Sequence, residues 1–226
     1  MMNLHTCTDE AACVRELSAV IAATLDGAIS AQGRAGLAVS GGRSPIALFK
    51  ELSNTELDWP RVDITLVDER FVAPSDPDSN EGLARRYLMQ GRAAQARFTG
   101  LVTNLASMAT CLERANRPAG ELTLAILGMG EDGHTASLFP HAPELPQALD
   151  PAQALRYVSV TPPAAPHQRI SMTLAALLRA RHRILYIGGA AKRAVLEQAA
   201  PARTTNMPVS FVLNQPGAPI DVYWHP

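Results

Sequence analysis

Short, mostly aliphatic runs that break off into glycine or charge, followed by helical periodicity, set the limits on this chain's architecture. Residues 36–40 (GLAVS), 62–67 (VDITLV), 122–127 (LTLAIL), 157–161 (YVSVT) and 183–187 (RILYI) have the length and composition of buried strands. Val14, Leu17, Ile21, Leu25 and Ile29 recur at three- and four-residue steps behind a cap at Thr8 or Asp9, which predicts a first helix ending near Gly33. Further helices are expected at 46–52, at 79–90 behind Ser79, and at 105–116, 173–180 and 190–198, the 173–180 helix being entered from 169–172. A strand is expected around 99–102, and 209–212 and 220–223 close the chain as short strands. Strands alternating with helices predict a single α/β domain over residues 1–226. The expected form is a three-layer, Rossmann-like, doubly wound and mostly parallel sheet with helices on both faces. Polar clusters follow the strands, where open sheets of this kind bind ligands.

Composition narrows the function. A 226-residue chain that is 47% hydrophobic can bury a large core, and a net charge of −1 argues against a general nucleic-acid or membrane-surface role. Any anion site must therefore concentrate its cations locally. Cys7, Cys13 and Cys111 are odd in number and lack metal-ligand spacing, as expected of reduced thiols. The acidic start lacks signal-peptide character, and no run approaches the ~20 apolar residues of a membrane span. A cytoplasmic protein is expected, as a monomer or small homo-oligomer.

The stretch 122–140 (LTLAILGMGEDGHTASLFP) carries the densest chemistry. Gly128, Gly130 and Gly133 match the G-x-G-x-x-G dinucleotide fingerprint, which requires a pyrophosphate on the amino end of a long helix. Glu131 and Asp132 would set carboxylates beside that anion, and Pro140 limits any helix from His134 to about two turns. The better reading is a catalytic loop in which His134, with Asp132 nearby, transfers protons near neutral pH.

Gly41-Gly42-Arg43-Ser44-Pro45 joins a strand to a helix start and leaves free N–H groups for an oxyanion. Asp68-Glu69-Arg70 ends a buried strand, where three charges are costly without a purpose. Lys192 lies in a first helical turn after Gly188-Gly189, a position that disfavours a cation unless an anion binds nearby. Ser40 approximates a serine-hydrolase elbow, but Pro45 sets the helix start too far downstream, so Ser40 reads as structural.

Taken together, VSGGRSP at 39–45, VDERFV at 67–72, DSN at 78–80, GMGEDGHTASLFP at 128–140, RISMTLAALLRA at 169–180 and GGAAK at 188–192 resemble the 6-phosphogluconolactonases, relatives of the glucosamine-6-phosphate deaminases. The deaminase pattern has Asp-Glu-Tyr where this chain has Asp68-Glu69-Arg70, and a ring-opening glutamate where it has Phe139. The resemblance implies hydrolysis of 6-phospho-D-glucono-1,5-lactone in the oxidative pentose phosphate route. It makes His134 the base that activates water and Asp132 the stabiliser of the resulting imidazolium. It implies a phosphorylated sugar lactone held by Gly41, Gly42, Arg43, Ser44, Asp68, Arg70, Gly130, Arg169 and Lys192, with no metal or redox cofactor required. A deaminase-like enzyme and a non-catalytic sugar-phosphate sensor are the alternatives. Whether Asp68 or Asp132 is the closer partner of His134 is left open by the sequence.

Overall fold

A computed structural model describes residues 2–217 and 219–226. Its first strand, β1 (Met2–Thr6), lies where the sequence predicts none, because its burial is only partial and its pairing is remote: it runs parallel to β10 (Ile220–His225) at the other end of the chain. Then follow α1 (Glu10–Gln32), β2 (Ala35–Val39), α2 (Ile46–Asn54), β3 (Val62–Leu66), β4 (Asp68–Arg70), α3 (Asn80–Tyr87), β5 (Arg97–Phe98) and α4 (Met108–Ala115). The rest are β6 (Leu124–Leu127), α5 (Leu145–Ala148), β7 (Tyr157–Val160), β8 (Arg169–Met172), α6 (Leu174–Leu178), β9 (His182–Gly188), α7 (Ala190–Ala199) and α8 (Val209–Leu213).

The central sheet has seven strands in the order β1-β10-β9-β6-β2-β3-β5, and every pair in it is parallel. The α/β expectation holds. Asp9 caps α1 through the Ala12 N–H, and Leu17, Ile21 and Leu25 press one stripe of that helix into the core beside Leu37, Phe49 and Leu124. Each such side chain contributes about 1.5–3 kcal/mol on burial.

Two expectations need correcting. Residues 209–212 form a helix, not a strand. Val209, Val212 and Leu213 are buried at helical spacing behind Pro208, and a short apolar run does not declare its period by itself. Residues 68–70 and 169–172 are not mere strand ends and helix approaches. They pair antiparallel as β4 and β8, with β7 on the far side of β8, in a separate three-stranded sheet. The Tyr157 hydroxyl donates to the Leu66 carbonyl at 2.8 Å, which seats this small sheet against β3. Smaller shifts are local: β5 precedes the expected 99–102, and Ser107 caps α4 later than 105.

Glu69, 1% exposed, explains one charge of the Asp-Glu-Arg run. Its carboxylate accepts from the Arg70, Asn80 and Glu81 N–H groups at 2.7, 2.8 and 2.7 Å and from the Ser79 hydroxyl at 3.0 Å. It therefore fastens the amino end of α3 to β4. Glu69→Gln would turn an NH2 group toward these donors and is expected to cost about 2–3 kcal/mol in urea unfolding. A loss under about 0.5 kcal/mol would contradict this role.

Candidate active site

At the carboxyl edge of the parallel strands, the loops after β2 and β6 enclose a cavity of about 180 Å³ with β4 and the starts of α3 and α7. Gly41, Gly42, Arg43, Ser44, Asp68, Arg70, Gly130, His134 and Lys192 all line it. Asp132 stands directly behind His134. Its Oδ1 accepts from His134 Nδ1 at 2.5 Å and from the His134 backbone N–H at 3.1 Å. Asp68 is engaged elsewhere, taking the Ser137 hydroxyl at 2.6 Å. The question left open by the sequence is thus decided for Asp132.

The loop holds this pair through its backbone. Gly130 N–H donates to the His134 carbonyl at 2.9 Å, and Gly133, at φ +77°, donates to Gly130 at 3.1 Å. No helix follows: Thr135 and Leu138 close a tight turn instead. That turn offers no helix end to a pyrophosphate. A Cβ at Gly130 would fall 2.2 Å from His134 Nδ1 and 2.5 Å from Asp132 Oδ1. Gly130→Ala is therefore expected to split the pair and lower turnover at least about 100-fold with an intact circular-dichroism spectrum. Turnover within a few-fold of the parent would show that the loop tolerates the methyl group.

Burial raises the pKa of Asp132, but its hydrogen bond to His134 and the attraction between them outweigh that, and the carboxyl titrates below its usual range. An ionised Asp132 accepts the Nδ1 proton, so Nε2 is the free base of the neutral ring. The Phe139 ring lies 4.5 Å from the imidazole and shields one face.

Elsewhere in the cavity lining the arrangement suits a phosphate. Among described helices of eight residues or more, α1, α3 and α4 have side-chain caps, whereas α2 and α7, with Pro45 before the one and Lys192 in the first turn of the other on the cavity wall, have none. Lys192 Nζ, in the first turn of α7, donates to Ser44 Oγ at 3.4 Å and joins the two termini. Burial pushes the Lys192 pKa down; Glu131 opposes the shift and Arg43 adds to it. Cations at uncapped helix starts suit an anion.

Arg70 and Arg169 are register partners across β4 and β8. Arg70 Nη1 donates to the Asp78 carbonyl at 2.5 Å. Arg169 is 5% exposed and does not line the cavity wall, yet its Nε and Nη1 have no hydrogen-bond partner among the described residues. Its guanidinium lies 6.0 Å from the Phe139 ring centre. Burial, then repulsion from Arg70, lower its pKa, against the pull of Asp68, Asp78 and Glu69. Two like charges side by side, one with empty donors, call for an anion.

A family model described as glucosamine-6-phosphate isomerases/6-phosphogluconolactonase matches residues 8–224. The chain belongs to this family. It is 45% identical to the 6-phosphogluconolactonase of Pseudomonas aeruginosa, over 94% of this chain and 90% of that one. It is 41% identical to the 6-phosphogluconolactonase of Neisseria meningitidis, over 99% of both. A crystal structure of a 6-phosphogluconolactonase from Shewanella baltica superposes with a TM-score of 0.93 at 37% identity, covering 100% of this chain and 98% of that one.

A larger depression of about 550 Å³ lies at the opposite, amino edge of the sheet. There Asp63 is held by Arg34 and Arg97, and Glu121 by Arg181, with no histidine in the lining. Sequence reasoning missed Asn80 and Tyr186, which also line the carboxyl-edge cavity, and gave Ser40 only a structural role. For Asn80 a signal existed in the DSN motif. Tyr186 gives none, since it reads as one more residue of a buried strand.

Proposed function

We propose that this protein hydrolyses 6-phospho-D-glucono-1,5-lactone to 6-phospho-D-gluconate, as in the oxidative pentose phosphate pathway. The observation that carries the reading is that His134, backed by Asp132, lines the same cavity as Arg43, Ser44 and Lys192. In this reading Arg43, Ser44, Lys192 and the Gly41–Gly42 backbone hold the 6-phosphate, with Arg70 and Arg169 adding charge along one flank. His134 Nε2 takes a proton from water as its oxygen bonds to the lactone carbonyl carbon. The electron pair of the C=O bond moves to oxygen, and Arg70 stabilises that oxyanion. Collapse re-forms the carbonyl and breaks its bond to the ring oxygen, which takes the proton back from His134. Asp132 stabilises the imidazolium between these steps.

One continuous core supports treating residues 1–226 as a single lactonase domain. No helix among the described residues is long and apolar enough to cross a membrane, which suits a cytoplasmic enzyme acting on a small phosphorylated sugar. Phe139, which has no proton to exchange, disfavours the deaminase alternative. A three-substrate panel tests the assignment. The phosphorylated lactone should be hydrolysed, unphosphorylated gluconolactone should be hydrolysed far more slowly, and glucosamine 6-phosphate should yield no ammonia. Ammonia release, or equal rates on both lactones, would overturn it.

A further inference from the structure

We infer that Asn80, with Ser40 beside it, reads a ring hydroxyl of the substrate and so sets which sugar lactone is accepted. The inference rests on the lactonase reading and adds a specificity site to it. Asn80 is 2% exposed, lines the cavity, and is held on two sides. Its backbone N–H donates to Glu69 at 2.8 Å, and its Nδ2 donates to the Asp68 carbonyl at 2.8 Å. Rotating the amide would set its oxygen against that carbonyl, so Oδ1 is a fixed acceptor. Yet Oδ1 has no hydrogen-bond partner among the described residues. A buried carbonyl oxygen in a polar cavity calls for a donor.

The surroundings point to a hydroxyl as that donor. Ser40, 9% exposed, lines the same cavity, and its Oγ is also buried without a partner. Gly41 lies between them: it follows Ser40 in the chain, and a Cβ there would fall 1.8 Å from Asn80 Oδ1. The bare Cα of Gly41 is thus explained by room for Asn80 as much as by phosphate binding. An acceptor-only oxygen beside a hydroxyl that can donate matches an alcohol, which gives one proton and accepts another. An anionic ligand group would be repelled by Oδ1. The Tyr186 hydroxyl is likewise unpartnered, but the groups acting on it, Cys13, Glu10 and Cys7, belong to α1 and the turn before it, so it is not part of the pair.

The test is a cycle between residue and substrate. Wild type, Asn80→Ala and Ser40→Ala are assayed on the parent lactone and on its 2-deoxy, 3-deoxy and 4-deoxy counterparts, each made by oxidising the deoxyglucose 6-phosphate. Asn80→Ala should lose roughly 10–100-fold in kcat/KM on the parent. It should lose little on the one deoxy lactone that lacks the recognised hydroxyl, and Ser40→Ala should follow the same pattern more weakly. Should Asn80→Ala fail to fold, the smaller Ser40→Ala change carries the cycle alone. The same loss on all four substrates would make these residues structural and overturn the inference while leaving the lactonase reading intact. No turnover of the parent lactone by wild type would overturn both.

Discussion

His134→Ala is expected to lose about 10²–10⁴-fold in kcat on 6-phosphogluconolactone, with KM nearly unchanged. In the proposed mechanism the substitution removes the group that takes the water proton and returns it to the ring oxygen, while Arg43, Ser44 and Lys192 would still hold the phosphate. Asp132→Asn should fall between this variant and the parent. The amide keeps the shape but no longer selects the tautomer with a free Nε2 or offsets the imidazolium charge. Steady-state rates, corrected for spontaneous opening, decide the matter. If His134→Ala hydrolysed the lactone within a few-fold of wild type, His134 could not be the base.

Arg169→Met is expected to do the reverse, raising KM about 10–100-fold with kcat within about three-fold. The buried guanidinium has Nε and Nη1 without a partner among the described residues and shares its strand register with Arg70, so in the proposed reading the ligand's anionic end supplies what they lack. The same reasoning fixes the sign of a second effect. Without substrate, an incompletely paired buried cation is a burden, and a shorter, unbranched apolar methionine near Phe139 should leave the free protein at least as stable as wild type. Weaker binding with unreduced thermal stability is the expected signature. A change confined to kcat, or a clear loss of stability with KM unchanged, would place Arg169 outside phosphate recognition.

These residues were legible in the sequence because their logic is local. Gly128 to His134 are consecutive, so the loop that brings Asp132 against His134 could be read directly. Gly41 to Pro45 likewise announce a helix start open to an anion. Remote pairing was not legible. Asp68–Arg70 is too short to announce a strand, and its partner Arg169–Met172 is far away in the chain. The choice of Asp132 over Asp68 also depends on Ser137, which occupies Asp68 once the two loops meet. Asn80 was visible as part of a motif, but its unsatisfied oxygen exists only after Glu69 and Asp68 have fixed the amide. Residues 209–212 misled because valine favours strands, while burial at three- and four-residue spacing prevailed.

Lactone hydrolysis itself is tested most directly by watching the substrate disappear. Glucose 6-phosphate is oxidised to completion, and the δ-lactone C1 signal is followed by ¹³C NMR with and without the protein at one fixed pH. The signal should collapse into that of 6-phosphogluconate within the interval in which the protein-free sample has barely opened. Superimposable decays in the two samples would contradict the assignment.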